Sequence, residues 1–161
     1  LITLKNFHNI MKKTFAGYIN LKPLNGIIYP SSQQNIMMKS YIENELNGVF
    51  YLSPTEVLQA KFPITLNTLT SKDTKVSGIV MLSTFLLPSS FNQRQEFYKQ
   101  LLNTKRTAHF IFDEIILKTK DDIEVVEDFI IFNSDHFTKT KKKLSDYEIN
   151  IAKKYNKITF V

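Results

Sequence analysis

Four short apolar runs punctuate the chain, and each stops at a knot of small polar or charged residues. Gly17-Tyr18-Ile19 ends at Asn20-Leu21-Lys22, and Val49-Phe50-Tyr51-Leu52 ends at Ser53-Pro54-Thr55-Glu56. Gly78 to Leu82 ends at Ser83-Thr84, and Ala108 to Phe112 ends at Asp113-Glu114. Continuous rather than alternating apolar runs suit strands buried on both faces, as in a parallel sheet covered by helices. Such sheets bind ligands beyond the carboxyl ends of their strands, so the four knots are expected on one rim.

The segments between the runs read as helices and loops. Asn25-Gly26 signals a turn, after which Ser31-Ser32 opens a helix to about Leu46 with Met38, Tyr41, Ile42 and Leu46 as its apolar stripe. Ser31 and Gln34 have the spacing of a capping box, and Asn47-Gly48 supplies a left-handed stop. Pro63 at a first-turn position, with Leu66 and Leu69 behind it, allows a short helix despite threonines at 65, 68 and 70. Ser90 with Gln93 caps another helix, whose buried face is Phe97, Tyr98, Leu101 and Leu102, and Asp121 with Glu124 repeats the pattern. Strand, helix, strand in this order predicts an α/β three-layer sandwich with a mostly parallel four- to five-stranded sheet of Rossmann-like or resolvase-like topology.

With 161 residues, 43% of them hydrophobic, the chain can build one compact core and is too short for two ordinary ones. The reading is a leader over 1–13, a single α/β domain over 14–137 and a basic extension over 138–161. Net charge of +6 is concentrated at the ends: residues 14–137 carry eleven Lys+Arg against thirteen acids, whereas 138–161 carry seven lysines against two acids. Lysine runs of this kind are more often solvated faces than nucleic-acid contacts, so specific nucleic-acid binding is not expected. Leu144, Tyr147, Ile151 and Tyr155 have helical spacing, which would let the tail dock on the body or join two copies in a homo-oligomer.

The chain has no cysteine, which removes thiolate chemistry and disulfides, and its His8, His109 and His136 lack metal-ligand spacing. The glycines form neither a dinucleotide fingerprint nor a phosphate-binding loop of the G-x-x-x-x-G-K type, so neither a metal nor a cofactor is expected. Its longest apolar stretch, 78–88, falls short of the roughly 20 residues of a membrane span. A cytoplasmic location is the expectation.

Short patches along the chain resemble the sporadic carbohydrate cluster protein family. They are Pro30-Ser31-Ser32-Gln33-Gln34-Asn35-Ile36, Tyr51 to Glu56, Gly78-Ile79-Val80 through Leu87-Pro88, His109-Phe110 with Asp113, and Asp122-Ile123 through Asp128. The similarity spans about residues 14–132 and implies a bacterial protein of surface-polysaccharide biosynthesis. The family pattern carries Arg-Pro where this chain has Lys22-Pro23, and Glu at Asp113; lysine keeps the charge without arginine's bidentate fork. The order of elements also looks like the catalytic domain of serine recombinases. There a nucleophilic serine closes the first strand, which here falls near Lys22, and an Asp-Arg-rich segment follows the third, where Ser83 to Ser90 holds no charge. Recombinase activity is therefore not expected.

Glu56, just beyond a buried strand, is the candidate general acid or base, and a helix-capping acid is the equal alternative. Lys22 is the candidate for neutralising a phosphate or carboxylate. Asn20, Asn25, Gln34, Asn35, Ser53, Thr55, Ser83, Asp113 and Glu114 complete the set of candidate binding groups, with His109 read as structural. The functional expectation is a protein that binds a sugar or sugar-phosphate at the strand-end rim, with acid/base catalysis by Glu56 and Lys22. A non-catalytic binding or scaffold module for a neighbouring biosynthetic enzyme is the alternative, since no nucleophile–base pair or metal cluster is evident.

Overall fold

The computed structural model describes residues 11–134. Five strands form one sheet: β1 (Thr14–Gly17), β2 (Val49–Phe50), β3 (Gly78–Met81), β4 (Thr107–Phe110) and β5 (Ile115–Leu117). Their order is β2-β1-β3-β4-β5, with every pairing parallel except β4 with β5. Helix α1 (Ser31–Ser40), continued by a π-helical turn over Tyr41–Glu45, joins β1 to β2, while α2 (Ile64–Thr70) leads toward β3. Helix α3 (Phe91–Asn103) joins β3 to β4, and α4 covers 121–134. Contacts divide the chain into two units between Ile123 and Glu124.

The first, third and fourth apolar runs feed the core, whereas the second forms edge strand β2, and its Val49 and Tyr51 are exposed. All four residues of β3 are buried, as are Phe15 and Ala16 of β1 and Ala108 and Phe110 of β4. Met38 and Ile42 from the first helical segment, Leu66 and Leu69 from α2, and Phe97, Tyr98 and Leu101 from α3 are buried too. Gly17 marks a close approach: a Cβ there would lie 2.8 Å from Met38 Cε and 2.8 Å from Ser53 Cβ. Asn47, at φ 47°, makes the expected left-handed stop, and the Gly48 amide returns to the Ile42 carbonyl at 2.8 Å.

Three local expectations need correction. Pro30, not Ser31, occupies the N-cap of α1, so no side chain caps that helix and the Ser31–Gln34 box does not form. The fourth run ends at Phe110, and Asp113 and Glu114 lie in the turn to an antiparallel β5, with Glu114 at φ 54°. Asp122 accepts hydrogen bonds from Lys118 N and Thr119 N ahead of α4, in place of an Asp121–Glu124 box. At the other end Lys13, placed by composition in the leader, already accepts a bond from Val49 N at 2.8 Å. Residues 1–10 and the expected tail helix lie outside the described residues.

His109 is structural, as expected from its place in an apolar strand. It lies buried in β4, with Nδ1 3.2 Å from Tyr41 Oη and Nε2 3.0 Å from Thr107 Oγ1, edge-on to Phe15. Burial, with a smaller contribution from Lys118, pushes its pKa down from 6.5 to about 4. A depressed pKa means that the folded state resists protonation, so the stability present above pH 6.5 is lost as pH falls toward 4. The predicted loss from this group is roughly 2–4 kcal/mol. Chemical denaturation of wild type and His109→Gln between pH 7.5 and 4 should give a visibly shallower slope for the variant; parallel slopes would contradict the burial argument.

Candidate functional site

The pairing of the first two strands does not stop where the regular strands end. Gly17 N bonds to Leu52 O, Ile19 N to Pro54 O and Glu56 N to Ile19 O, so the ladder runs on past β1 and β2. Tyr18 and Asn20, two residues apart, share one face of this extension. Glu56 arrives beside them at its end.

The Glu56 side chain is 8% exposed and collects four donors. Oε1 accepts from Val57 N at 2.9 Å and Thr65 N at 3.0 Å; Oε2 accepts from Leu66 N at 3.2 Å and Tyr18 Oη at 3.0 Å. Two of these amides belong to the first turn of α2, whose N-cap Pro63 offers no side-chain acceptor, so Glu56 supplies the missing cap from a distance. Burial first, then the charge of Glu56, raises the Tyr18 phenol above its ordinary pKa, and it stays protonated. Asn20 Nδ2 donates to that phenol at 3.1 Å and to Leu86 O at 3.3 Å.

Gln34 fixes the strand end from the helix side. Its Oε1 accepts from Asn20 N at 3.3 Å, while Nε2 donates to Asn20 O and Tyr29 O, both at 2.8 Å. Beyond this clamp, Lys22 is half-buried, with Nζ donating to Leu87 O at 2.8 Å. Desolvation lowers its pKa below 10.5, Arg94 adds to the effect, and Glu56 opposes it.

These residues surround a cleft of about 260 Å³. Tyr18, Asn20, Lys22 and Glu56 line it together with Val57 to Ala60, Phe62 and Pro63, and with Pro88 to Ser90 and Gln93. Ser90 and Gln93 mark the N-terminus of the 13-residue helix α3, where Ser90 Oγ accepts from Gln93 N at 3.5 Å. Backbone amides at such an end favour anions.

Lys22, Glu56 and Asn20 thus come together, whereas the other candidates do not line the cleft. Ser53 Oγ donates to Asn35 Oδ1 at 2.6 Å, and Ser83 Oγ donates to Asp113 at 3.0 Å. Thr55 gives its carbonyl to Thr65 Oγ1, and Asn25 turns the chain at φ 53° between Leu24 and Ile27. The parallel pairing of β1 to β4 does put the four knots on one edge of the sheet, as expected, but they do not all line one cleft. After β3 the chain turns at Ser83 into a 3₁₀ turn over Thr84–Leu86, and Asp113 secures that turn by accepting Thr84 N. The knot side chains chiefly bond to neighbouring segments: Ser53 to α1, Glu56 to α2, and Asp113 to the turn after β3. The lining from Val57 to Pro63 and from Pro88 to Gln93 was unforeseen, as was Tyr18, which reads as core: no spacing announces loops that gather at a distant strand end.

No protein-family model matches the chain. No curated protein matches it either. Among solved structures it is similar to the N-terminal catalytic domain of TP901-1 integrase, with a TM-score of 0.52 and 10% sequence identity over 83% of this chain and 99% of that one. At that identity the likeness shows the fold alone, a resolvase-like α/β arrangement. The resemblance to the carbohydrate cluster family has no family-model match behind it.

Replacing the Glu56 carboxylate by an amide would put an N–H₂ group against at least one buried N–H. Glu56→Gln should therefore lower stability in urea by about 1–3 kcal/mol. Unchanged stability would show that the four hydrogen bonds do not anchor the segment.

Proposed function

We propose that the protein binds a sugar phosphate in this cleft, with the phosphate at Lys22 and the first turn of α3, and that it acts as a binding module. The observation that carries the reading is the state of Lys22. Its ammonium has three donors, is partly removed from water, and has the Leu87 carbonyl as its hydrogen-bond partner among the described residues. A phosphate would supply the counter-charge and the remaining acceptors, and the adjoining helix end favours the same sign. Ser89, Ser90 and Gln93 add hydroxyl and amide groups suited to sugar oxygens.

Catalysis by Glu56 finds less support than binding. Each of its oxygens already accepts two hydrogen bonds, so moving a proton would mean giving up a cap or the Tyr18 contact. The setting in surface-polysaccharide biosynthesis rests on the sequence resemblance; the ligand class rests on the cleft.

Lys22 should trade stability for binding. Because desolvation and Arg94 both disfavour its charged form, Lys22→Met should leave stability unchanged or raise it by up to about 1 kcal/mol. The same change should weaken binding of a hexose 1-phosphate by about 10- to 100-fold in titration calorimetry, the loss of a charge-assisted bond. Wild-type affinity should also fall as pH rises through the lowered lysine pKa, below the ordinary 10.5. Full affinity in Lys22→Met would overturn the reading.

A further inference from the structure

The chain contains two Asn-Gly pairs, Asn25-Gly26 and Asn47-Gly48, and the fold gives them opposite surroundings. In such a pair the glycine amide nitrogen can attack the side-chain amide of the asparagine before it, because no glycine Cβ obstructs the approach. Both asparagines are left-handed, with φ 53° at Asn25 and 47° at Asn47. The asparagine conformation therefore does not separate the two sites; the hold on each glycine does.

Gly48 is locked in place. It is buried, its amide donates to Ile42 O at 2.8 Å, and a Cβ there would lie 2.7 Å from Phe15 Cδ2 and 3.1 Å from Lys13 O. The next amide, Val49 N, is bonded to Lys13 O at 2.8 Å, so the pair adjoins the sheet directly. Swinging the Gly48 nitrogen toward the Asn47 side chain means breaking a buried hydrogen bond and pushing into β1.

Gly26 is open on every side. Asn25 and Gly26 are exposed, and a Cβ on Gly26 would meet nothing within 4 Å. Among the described residues the Gly26 amide has no backbone acceptor. The turn is closed by Leu24 N to Ile27 O at 2.8 Å and Ile27 N to Leu24 O at 2.9 Å, an isolated bridge outside the five-stranded sheet. It can open locally without moving a strand.

We infer that Asn25 is a site of covalent self-modification, cyclising with Gly26 to a succinimide that water opens to aspartate and isoaspartate, and that the fold protects Asn47. In the first step the Gly26 N–Asn25 Cγ bond forms and the Asn25 Cγ–Nδ2 bond breaks, with Nδ2 leaving as ammonia together with the Gly26 amide proton. Water then adds to one of the two ring carbonyls. Addition at Cγ gives aspartate; addition at the backbone carbonyl carbon gives isoaspartate, in which the main chain runs through Cγ. No electrons are transferred. The product carries a new negative charge in the turn, and the isoaspartyl form inserts a methylene into the backbone between Leu24 and Ile27. This chemistry is independent of what occupies the cleft.

The test holds the full chain folded in mildly alkaline buffer beside a sample unfolded in urea, and follows amide loss at each asparagine by peptide mass spectrometry. In the folded protein Asn25 should convert at least about tenfold faster than Asn47, the factor expected when one site must first give up a buried hydrogen bond. In urea the two rates should become equal. Methyl transfer by a protein isoaspartyl methyltransferase should then label the peptide containing residue 25. Equal folded-state rates, or faster conversion at Asn47, would overturn the inference. So would a difference that persists in urea, because the fold would then not be its source. Conversion at Asn25 without any isoaspartate would show direct hydrolysis and overturn the cyclic route.

Discussion

A single carboxylate joins the strand end and the loop that line the cleft to helix α2. Glu56 stands at the end of the ladder that prolongs β1 and β2, caps α2 through Thr65 N and Leu66 N, starts the apolar loop through Val57 N, and receives the Tyr18 phenol. Nearly excluded from water, such a group is tolerable only with its acceptors filled, and here the strand end, the loop and the helix fill them. The parallel ladder delivers Glu56 to that position because Gly17 lets α1 and the β2 extension approach closely. The strand-end and loop sides of the cleft therefore follow from sheet pairing plus one buried carboxylate.

The charges around the cleft are arranged differently. Lys22 is drawn partly out of water, where desolvation and Arg94 disfavour its charge and Glu56 favours it. The Gln34 clamp on Asn20 and the Lys22 N–Asn20 Oδ1 bond at 3.1 Å keep the strand end from relaxing away from that placement. On the proposed reading, that polar scaffolding would preorganise the site. The serines elsewhere on the sheet edge lack that arrangement, since Ser53 and Ser83 are already committed to Asn35 and Asp113.

Much of the fold was legible because burial on both faces leaves a direct mark on composition. The runs at Gly78 and Ala108 could hardly be anything but central strands, and Leu66 with Leu69 behind Pro63 marked α2 correctly despite its threonines. Strand β5 has no clear mark in the sequence because it is three residues long, antiparallel and only partly buried. The site was legible only in part. Lys22, Asn20 and Glu56 fall at a strand end, where chemistry is expected, but local sequence cannot tell a proton carrier from a remote helix cap. That distinction depends on where Thr65 and Leu66 present their amides. Nothing in the sequence gives the apolar stretch before Pro63 a role, because its place in the cleft with Lys22 is set by the fold and not by spacing along the chain.

The central claim is that an anionic sugar ligand occupies the space between Lys22, the start of α3 and the loop over 57–63. Backbone amide spectra recorded during titration with a hexose 1-phosphate would locate it directly. The account predicts shifts concentrated at Lys22, Ser89, Ser90, Gln93 and Phe62, with Ser53, Asn35, Ser83 and Asp113 unmoved. Shifts centred on the Ser53–Asn35 or Ser83–Asp113 pairs, with the cleft residues silent, would contradict it.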